Sequence, residues 1–571
     1  MTKIIAIILI VFASSFVYAE DLYIAQSAAG GGTGADCDNA LAYTFFNTAG
    51  NWGGGVGEID PGDTVHICGT LTGSANSTLL TFQASGTLGN DITIFFETDA
   101  KIEAPYFSSN GGINLNEKDY IIIDGGSTCG QISGTKTTCN GTIRNTLAGS
   151  SGLECPGGTC TTVLNNSTAS NGIKCEGTCS NIEIKNLHIG PMYTRELNTN
   201  QEGFATHGIV IQHGSAQNVK IHNNVIEGAG KLAVVAWADA ATGTLETFHF
   251  YNNNLSNMCW AIGMGKGSNN DAGQIDDIQI YENEMSDWRW ARDNDGGACH
   301  TNGTMLFNGD SYTTYSTGYI GDADSKIYNN YLHGSLTDGY AGSSPSGFLS
   351  CQDNCGPIKV FNNVVIDTET GVNGGGLIYF NGAGGGGQGV YNNTLVRSTA
   401  AGTSECIEAT GASRFGDVIA KNNIFVNCVP ITVRPNDPNA VTSDYNNGYN
   451  TASNVWYVYN YGGSSTMLTL AQYKSGYSQE SHDADNEGNP LLDANYRLQV
   501  GSASIDTGVD LSSLGISELN YDKDGNTRTG TWDIGAYEYS EETPANTIQG
   551  VTIGNLKITE YIAYHREDGL R

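Results

Sequence analysis

VKIHNNVI, residues 219–226, reads as a short strand with alternating apolar residues, two asparagines, and a second apolar pair. The pattern recurs. Its copies are IEIKNLHI ending at Ile189, FHFYNNNL at Leu255, IQIYENEM at Met285, SKIYNNYL at Leu332, IKVFNNVV at Val365, QGVYNNTL at Leu395 and VIAKNNIF at Phe425. Taken two residues before the first aligned Asn position, the anchors are 184, 221, 250, 280, 327, 360, 390 and 420, spaced 37, 29, 30, 47, 33, 30 and 30. A period near thirty with strand alternation inside each copy describes a unit that cannot bury its apolar face alone and must stack on its neighbours.

A second short strand stands between copies, as in GIVIQ from Gly208, AVVAW from Ala233, AIGMG from Ala261, GLIYF from Gly376 and CIEAT from Cys406. Two or three strands and tight turns per unit make a coil, and stacked coils make parallel sheets around a continuous Ile, Val, Leu and Phe core. Asn suits the bend because it tolerates the left-handed region and bonds neighbouring backbone. Stacked asparagines can bond as a ladder along the axis. A propeller is the alternative, but its blades need about four strands in ~40 residues. The expected fold is therefore all-β: a single-stranded right-handed parallel β-helix, a solenoid with short turns and inserted loops.

The ends and the composition set the context. Met1, Thr2 and Lys3, an apolar run from Ile4 to Val17 and the small-residue site Val17-Tyr18-Ala19 have the layout of a secretory signal peptide. The run is short for a membrane span of ~20 residues, and no second one follows, so a secreted, extracellular or cell-surface protein is expected, with no membrane span in the mature chain. Fourteen cysteines fit disulfides better than metal ligands. Candidate pairs are Cys155 with Cys160, Cys175 with Cys179, Cys351 with Cys355 and Cys129 with Cys139. Cys406 with Cys428, and Cys259 with Cys299, stand at the entrances of corresponding strands in successive coils, where stacked residues lie ~4.8 Å apart. The net charge of −33 disfavours nucleic acid. The reading divides the chain into a signal peptide (1–19), an N-terminal cap and first coils (20–120), a β-helix with its closing segment (121–539), and a linker and β-like tail (540–571).

The Asn-punctuated coils resemble the right-handed β-helix repeats of the pectate-lyase-like superfamily. NPLL from Asn489, YRLQVGSASIDTG and DKDGNTRTGTWDIGAYEY ending at Tyr539 look like the closing segment of secreted bacterial β-helix proteins, in which a strand pair ending in Asp-Ile-Gly-Ala-Tyr-Glu finishes the coil. LYIAQSAAGGGTG from Leu22, IDPGDTVHICG from Ile59 and YIIIDGG from Tyr120 are similar to the opening of that group. The resemblance covers about residues 22–539. It is specific for architecture and weak for reaction; the catalytic patterns of polygalacturonases and pectate lyases are absent in register, and a shared fold does not carry chemistry over.

Solenoids place function on loops thrown from one face, and the two longest spacings mark insertions. One, from Glu284 to Gly303, concentrates Trp288, Arg289, Trp290, Arg292 and His300; the other, from Gly190, carries Tyr193. Trp237, Trp260, Trp288, Trp290 and Tyr193 are candidate sugar contacts, with packing against the core as the competing role for the tryptophans. Arg289, Arg292, Lys266, His300 and His207 are candidate catalytic groups, since a lyase needs cations for a uronate carboxylate and a base for the neighbouring proton. The arginines pair equally well with Asp287, Asp293 and Asp295, and His207 and His300 equally well serve as turn residues. Hydrolysis instead needs paired carboxylates ~5 to 9 Å apart. Asp522, Asp524 and Asn526 carry the hard oxygens calcium prefers, although an Asp/Gly turn needs no metal; calcium is the one cofactor candidate. The leading expectation is a secreted polysaccharide lyase or glycoside hydrolase acting in a groove across the coils on a polysaccharide or cell-surface glycan. A non-catalytic adhesion or matrix protein and a calcium-dependent glycan binder are the rivals.

Overall fold

The computed structural model describes residues 19–540 except 127–138, 140, 147–168, 193–205, 213, 230–231, 239–242, 259, 267–274, 287, 289–301, 309–320, 336–346, 353–355, 369–374, 382–386, 400–403, 411–417, 434–440, 452–453, 460–464 and 483–486. The signal-peptide segment and the tail from 541 lie outside the described residues.

Three long sheets run from Asp21 to Leu468. Each coil contributes one strand to sheet 1, turns at the asparagines, contributes one to sheet 2, and reaches sheet 3 through a longer connection; Lys359–Phe361, Val364–Asp367 and Ile378–Asn381 form one such coil. The eight anchors of the repeat fall in a single column of sheet 1: Ile184, Ile221, Phe250, Ile280, Ile327, Val360, Val390 and Ala420 are each opposite the next. The column continues back through Ile123, Ile94 and Val65 to Leu22, so coiling begins at Asp21–Ala25. Alternate residues point inward, and the inward column is buried, as a sheet covered on its inner side requires.

The two asparagines at the corner have different tasks. The first adopts the left-handed conformation that turns the chain, from Asn186 and Asn223 to Asn392 and Asn422, with φ between +52° and +59°. The second points inward and forms a buried ladder. Asn363 shows the unit: its Nδ2 donates to Asn393 Oδ1 at 3.0 Å and to Ile327 O at 2.9 Å, and its backbone N–H donates to Asn393 Oδ1 at 3.0 Å. The same bonds join Asn224, Asn253, Asn283, Asn330, Asn363, Asn393, Asn423 and Asn446 in sequence. At the end, Asn446 donates to the carboxylate of Glu480 through Nδ2 (2.7 Å) and its backbone N–H (3.1 Å), so a glutamate replaces the missing next rung.

The coil is closed at both ends. Phe46, Trp52 and Phe82 pack edge to face at the start, beside the Cys37–Cys68 disulfide that the sequence reading did not pair. The far end carries strand Thr466–Leu468, antiparallel to Tyr457–Tyr459, and the helix Leu470–Tyr477, whose Tyr473 stacks on Tyr457 at 4.4 Å. The expected disulfides Cys175–Cys179 and Cys406–Cys428 are present, the latter joining successive coils with a Cα–Cα distance of 5.7 Å. Cys259 and Cys299, like Cys155 and Cys160, lie outside the described residues.

The closing segment differs from the expectation. Residues 489–539 contain no strand of the sheets and do not finish the coil; they run as a strap along the outside of the asparagine corner. Leu511, Leu519 and Trp532 cover Tyr328, Phe361 and Tyr391, while Lys523 Nζ donates to Asn329 O at 2.6 Å and Asn422 exchanges two bonds with Val509. The physical reason is local: Asn362, Asn392 and Asn422 turn their amides outward at the corner, and the strap supplies partners through Tyr521, Arg528, Asp533, Gly535 and Val509.

Candidate functional site

Of the sequence-predicted residues, His207, Trp237, Trp260 and Lys266 stand on strands of sheet 3. Its outward columns can be read from the register. One runs Lys174, Val210, Val235, Gly263 and, beyond the strand position 305, Ser350, Tyr379, Glu408 and Thr432; the next runs Glu176, Gln212, Trp237, Gly265 and, beyond position 307, Gln352 and, beyond position 381, Thr410. The character changes along the axis: an ion pair at Lys174–Glu176 (2.7 Å), then an apolar patch, then glycines, then hydroxyl, amide and carboxylate groups.

Trp237 and Trp260 form the patch, packed half-buried against Val210, Leu232 and Val235. Gly263 makes room for it, since a Cβ there would stand 2.3 Å from Leu232 and 3.0 Å from the Trp260 ring. Trp288 does not belong to this surface. It is fully buried, donates from Nε1 to Asn302 O at 3.0 Å and packs edge-on against Phe348, so the expectation that it contacts sugar is corrected: its indole is part of the core. His207 is also mostly covered, with Nδ1 3.0 Å from Asn171 Oδ1, beside Leu232 in the register. Lys266 ends strand Trp260–Lys266, one rung from Ala238, but its side chain, like Tyr193, Arg289, Trp290, Arg292 and His300, lies outside the described residues.

A charged group that the sequence reading missed sits where sheet 2 turns into sheet 3. Asp367, Arg397, Glu405 and Glu408 are each 2–5% exposed. Arg397 Nη1 donates to Asp367 Oδ2 at 2.6 Å, Nε and Nη2 donate to Glu405 O at 3.1 and 2.8 Å, and Nη2 also reaches Gly375 O at 2.6 Å. Glu408 Oε2 accepts from the Gly376 N–H at 3.1 Å, and Thr410 Oγ1 donates to Tyr379 Oη at 2.9 Å. Burial lowers the Arg397 pKa, while the charges of Asp367, Glu405 and Glu408 oppose that shift. Buried charges are costly unless paired, and the Arg397 guanidinium is paired with the Asp367 carboxylate. A signal for it existed: Asp367 and Arg397 are one repeat apart and occupy the same position in neighbouring coils.

The calcium candidates are committed to the strap. Asp522 accepts from the backbone N–H groups of Asp524, Asn526 and Glu538 at 2.8–3.0 Å, and Asp524 pairs with Arg497. Among the described residues no group of three or more His, Cys, Asp or Glu side chains is arranged to hold a metal ion. The turn is held by hydrogen bonds, as an Asp/Gly turn is without a metal.

These features define a right-handed parallel β-helix with a polar and aromatic outer face on sheet 3. No family model matches the chain, and no curated protein does. Among solved structures, the chain is similar to pectate lyase Pel9A (13% identity, TM-score 0.42, covering 92% of this chain and 98% of that one). It is also similar to XylC in complex with xylose (10%, TM-score 0.45, 91% and 99%). A third similarity is to a GH136 lacto-N-biosidase from Eubacterium ramulus (11%, TM-score 0.45, 72% and 64%). No helix among the described residues is long and apolar enough to cross a membrane.

Proposed function

We propose that the chain is a secreted carbohydrate-active protein that holds a glycan chain along the outer face of sheet 3 and cleaves it at the corner between sheets 2 and 3. The observation that carries this reading is the buried quartet Asp367, Arg397, Glu405 and Glu408. Carboxylates gathered at the edge of a polar face, close to a guanidinium, are an arrangement acid–base chemistry uses.

The described groups favour hydrolysis over elimination. Glu405 and Glu408 lie three residues apart on one strand, so their Cα atoms are separated by about 10 Å, and the reading requires their carboxyl groups to stand ~5 to 9 Å apart, as glycoside hydrolysis does. Arg397 is a positioning residue in this scheme, since it grips Glu405 through the backbone and neutralises Asp367. Trp237 and Trp260 provide the apolar surface on which sugar rings stack, about five rungs or ~24 Å from Thr410 along the column. Tyr193, Trp290, Arg289, Arg292, Lys266 and His300 remain candidates for further contacts; their side chains lie outside the described residues.

The test is incubation of the mature protein with a panel of neutral and uronic polysaccharides, following reducing ends and the ultraviolet absorbance of new double bonds. Reducing ends without absorbance are expected. Absorbance that requires Arg289 and Arg292 would replace hydrolysis with elimination, and silence across the panel would favour adhesion or assembly.

A further inference from the structure

A pocket of about 170 Å³ opens on the outside of sheet 1, a different face of the coil from sheet 3. Three rungs of that sheet make its floor, because Ile122, Glu183 and Lys220 stand opposite one another in successive coils, about 4.8 Å apart. Asn181 and Asn218 lie along its edge, where Asn218 Nδ2 donates to Asn181 Oδ1 at 2.8 Å and fixes both amides. Asp91 and Tyr120 stand on the other side, next to a two-residue hairpin closed by Thr87 and Asn90. Leu88, at the tip of that hairpin, is 82% exposed, an apolar side chain held in water at the rim of a polar cavity.

The charges are arranged rather than scattered. Glu183 Oε1 accepts from His222 Nε2 at 2.8 Å and Lys185 Nζ at 3.2 Å, and Lys185 also faces Asp124 at 3.7 Å. The His222 bond, with help from Lys185, holds Glu183 at about 2, whereas burial and the nearby Glu183 charge push Asp91 up. The pocket thus offers one carboxylate fixed as an acceptor, a second more readily protonated, one ammonium and a pair of amides. A uronate or other anion would meet both carboxylates, and a cation would meet Lys220. The volume is below the ~300 Å³ at which pockets for larger ligands begin, so the cavity suits one small ring.

We propose that this pocket is a subsite for a single neutral sugar ring: Asp91 and Glu183 accept from its hydroxyls, Lys220 and the amides donate to them, and Leu88 and Ile122 cover its apolar face. The subsite does not depend on the reaction assigned to sheet 3. Xylose, glucose, galactose and mannose are each titrated into the full-length mature chain and followed by saturation-transfer NMR. The variants are Leu88→Ala, Asp91→Asn and Lys220→Ala, whose folding is checked by circular dichroism, and each titration is repeated in a Trp237→Ala background so that the two faces are read apart. At least one sugar is expected to give a saturable signal that survives Trp237→Ala and weakens tenfold or more in both Asp91→Asn and Lys220→Ala. No saturable signal from any of the four, or a signal lost in Trp237→Ala and retained in Asp91→Asn, overturns the proposal; only the latter result would transfer the binding to sheet 3.

Discussion

At the residue scale the corner asparagines carry the most consequence per side chain. Asn363 donates to three oxygens and accepts from Asn330 while fully buried. Asn363→Ala leaves backbone carbonyls of two coils and the Asn330 amide without partners. At ~1–3 kcal/mol for each unmatched buried group, a loss of about 3 kcal/mol or more is expected in denaturant unfolding. Glu480, which ends the ladder, makes stability depend on pH. Burial raises its pKa to about 7 despite the bonds from Ser443 and Asn446. Below the ordinary carboxylate range both folded and unfolded states hold the proton. As pH rises towards 7 the unfolded state releases it first, so this contribution is complete in acid and lost as pH rises through 7. The difference of about 2.5 pH units corresponds to on the order of 3 kcal/mol. Unfolding midpoints at pH 5 and pH 8 should therefore differ in the wild type and converge in Glu480→Gln; an equal gap in both would exclude Glu480 as the cause.

At the scale of elements, the strap is the feature least like its sequence-based expectation. Trp532 is buried against Tyr328, Phe361 and Tyr391, at the covered end of a stack that begins with His222, Tyr251 and Tyr281. Trp532→Ala is expected to cost about 3–5 kcal/mol if strap and coils unfold together. A low-temperature transition confined to residues 489–539 in hydrogen exchange would instead show the strap to be an independent unit. The coil was legible because each strand meets a neighbour about thirty residues away, so a one-dimensional period becomes register; the anchors from Ile184 to Ala420 are in-register partners. The strap has no period. Lys523 meets Asn329 across 194 positions, and nothing local in DKDGN states that its lysine will lie on a corner rather than extend a sheet.

The same contrast governs the candidate site at the scale of the whole molecule. Tryptophans clustered in sequence drew attention to sheet 3, and Trp237 and Trp260 do lie outward there. Trp288 is inside because the chain reaches the core just after strand Glu284–Ser286, a turn that composition does not reveal. Asp367 and Arg397 were readable as one column of the repeat, whereas Glu405 and Glu408 join them only once sheet 2 is folded onto sheet 3. The full chain carries a formal charge of −33, so a neutral glycan approaches it without the repulsion that a uronic one would meet.

The most direct test of the central claim is the rate of reducing-end release from the polysaccharide the wild type cleaves best, compared with Glu405→Gln, Glu408→Gln and Trp237→Ala. A loss of at least a hundredfold in kcat is expected for either glutamine variant with the fold intact, and a rise in KM with a smaller change in kcat for Trp237→Ala. Full activity in both glutamine variants would contradict it.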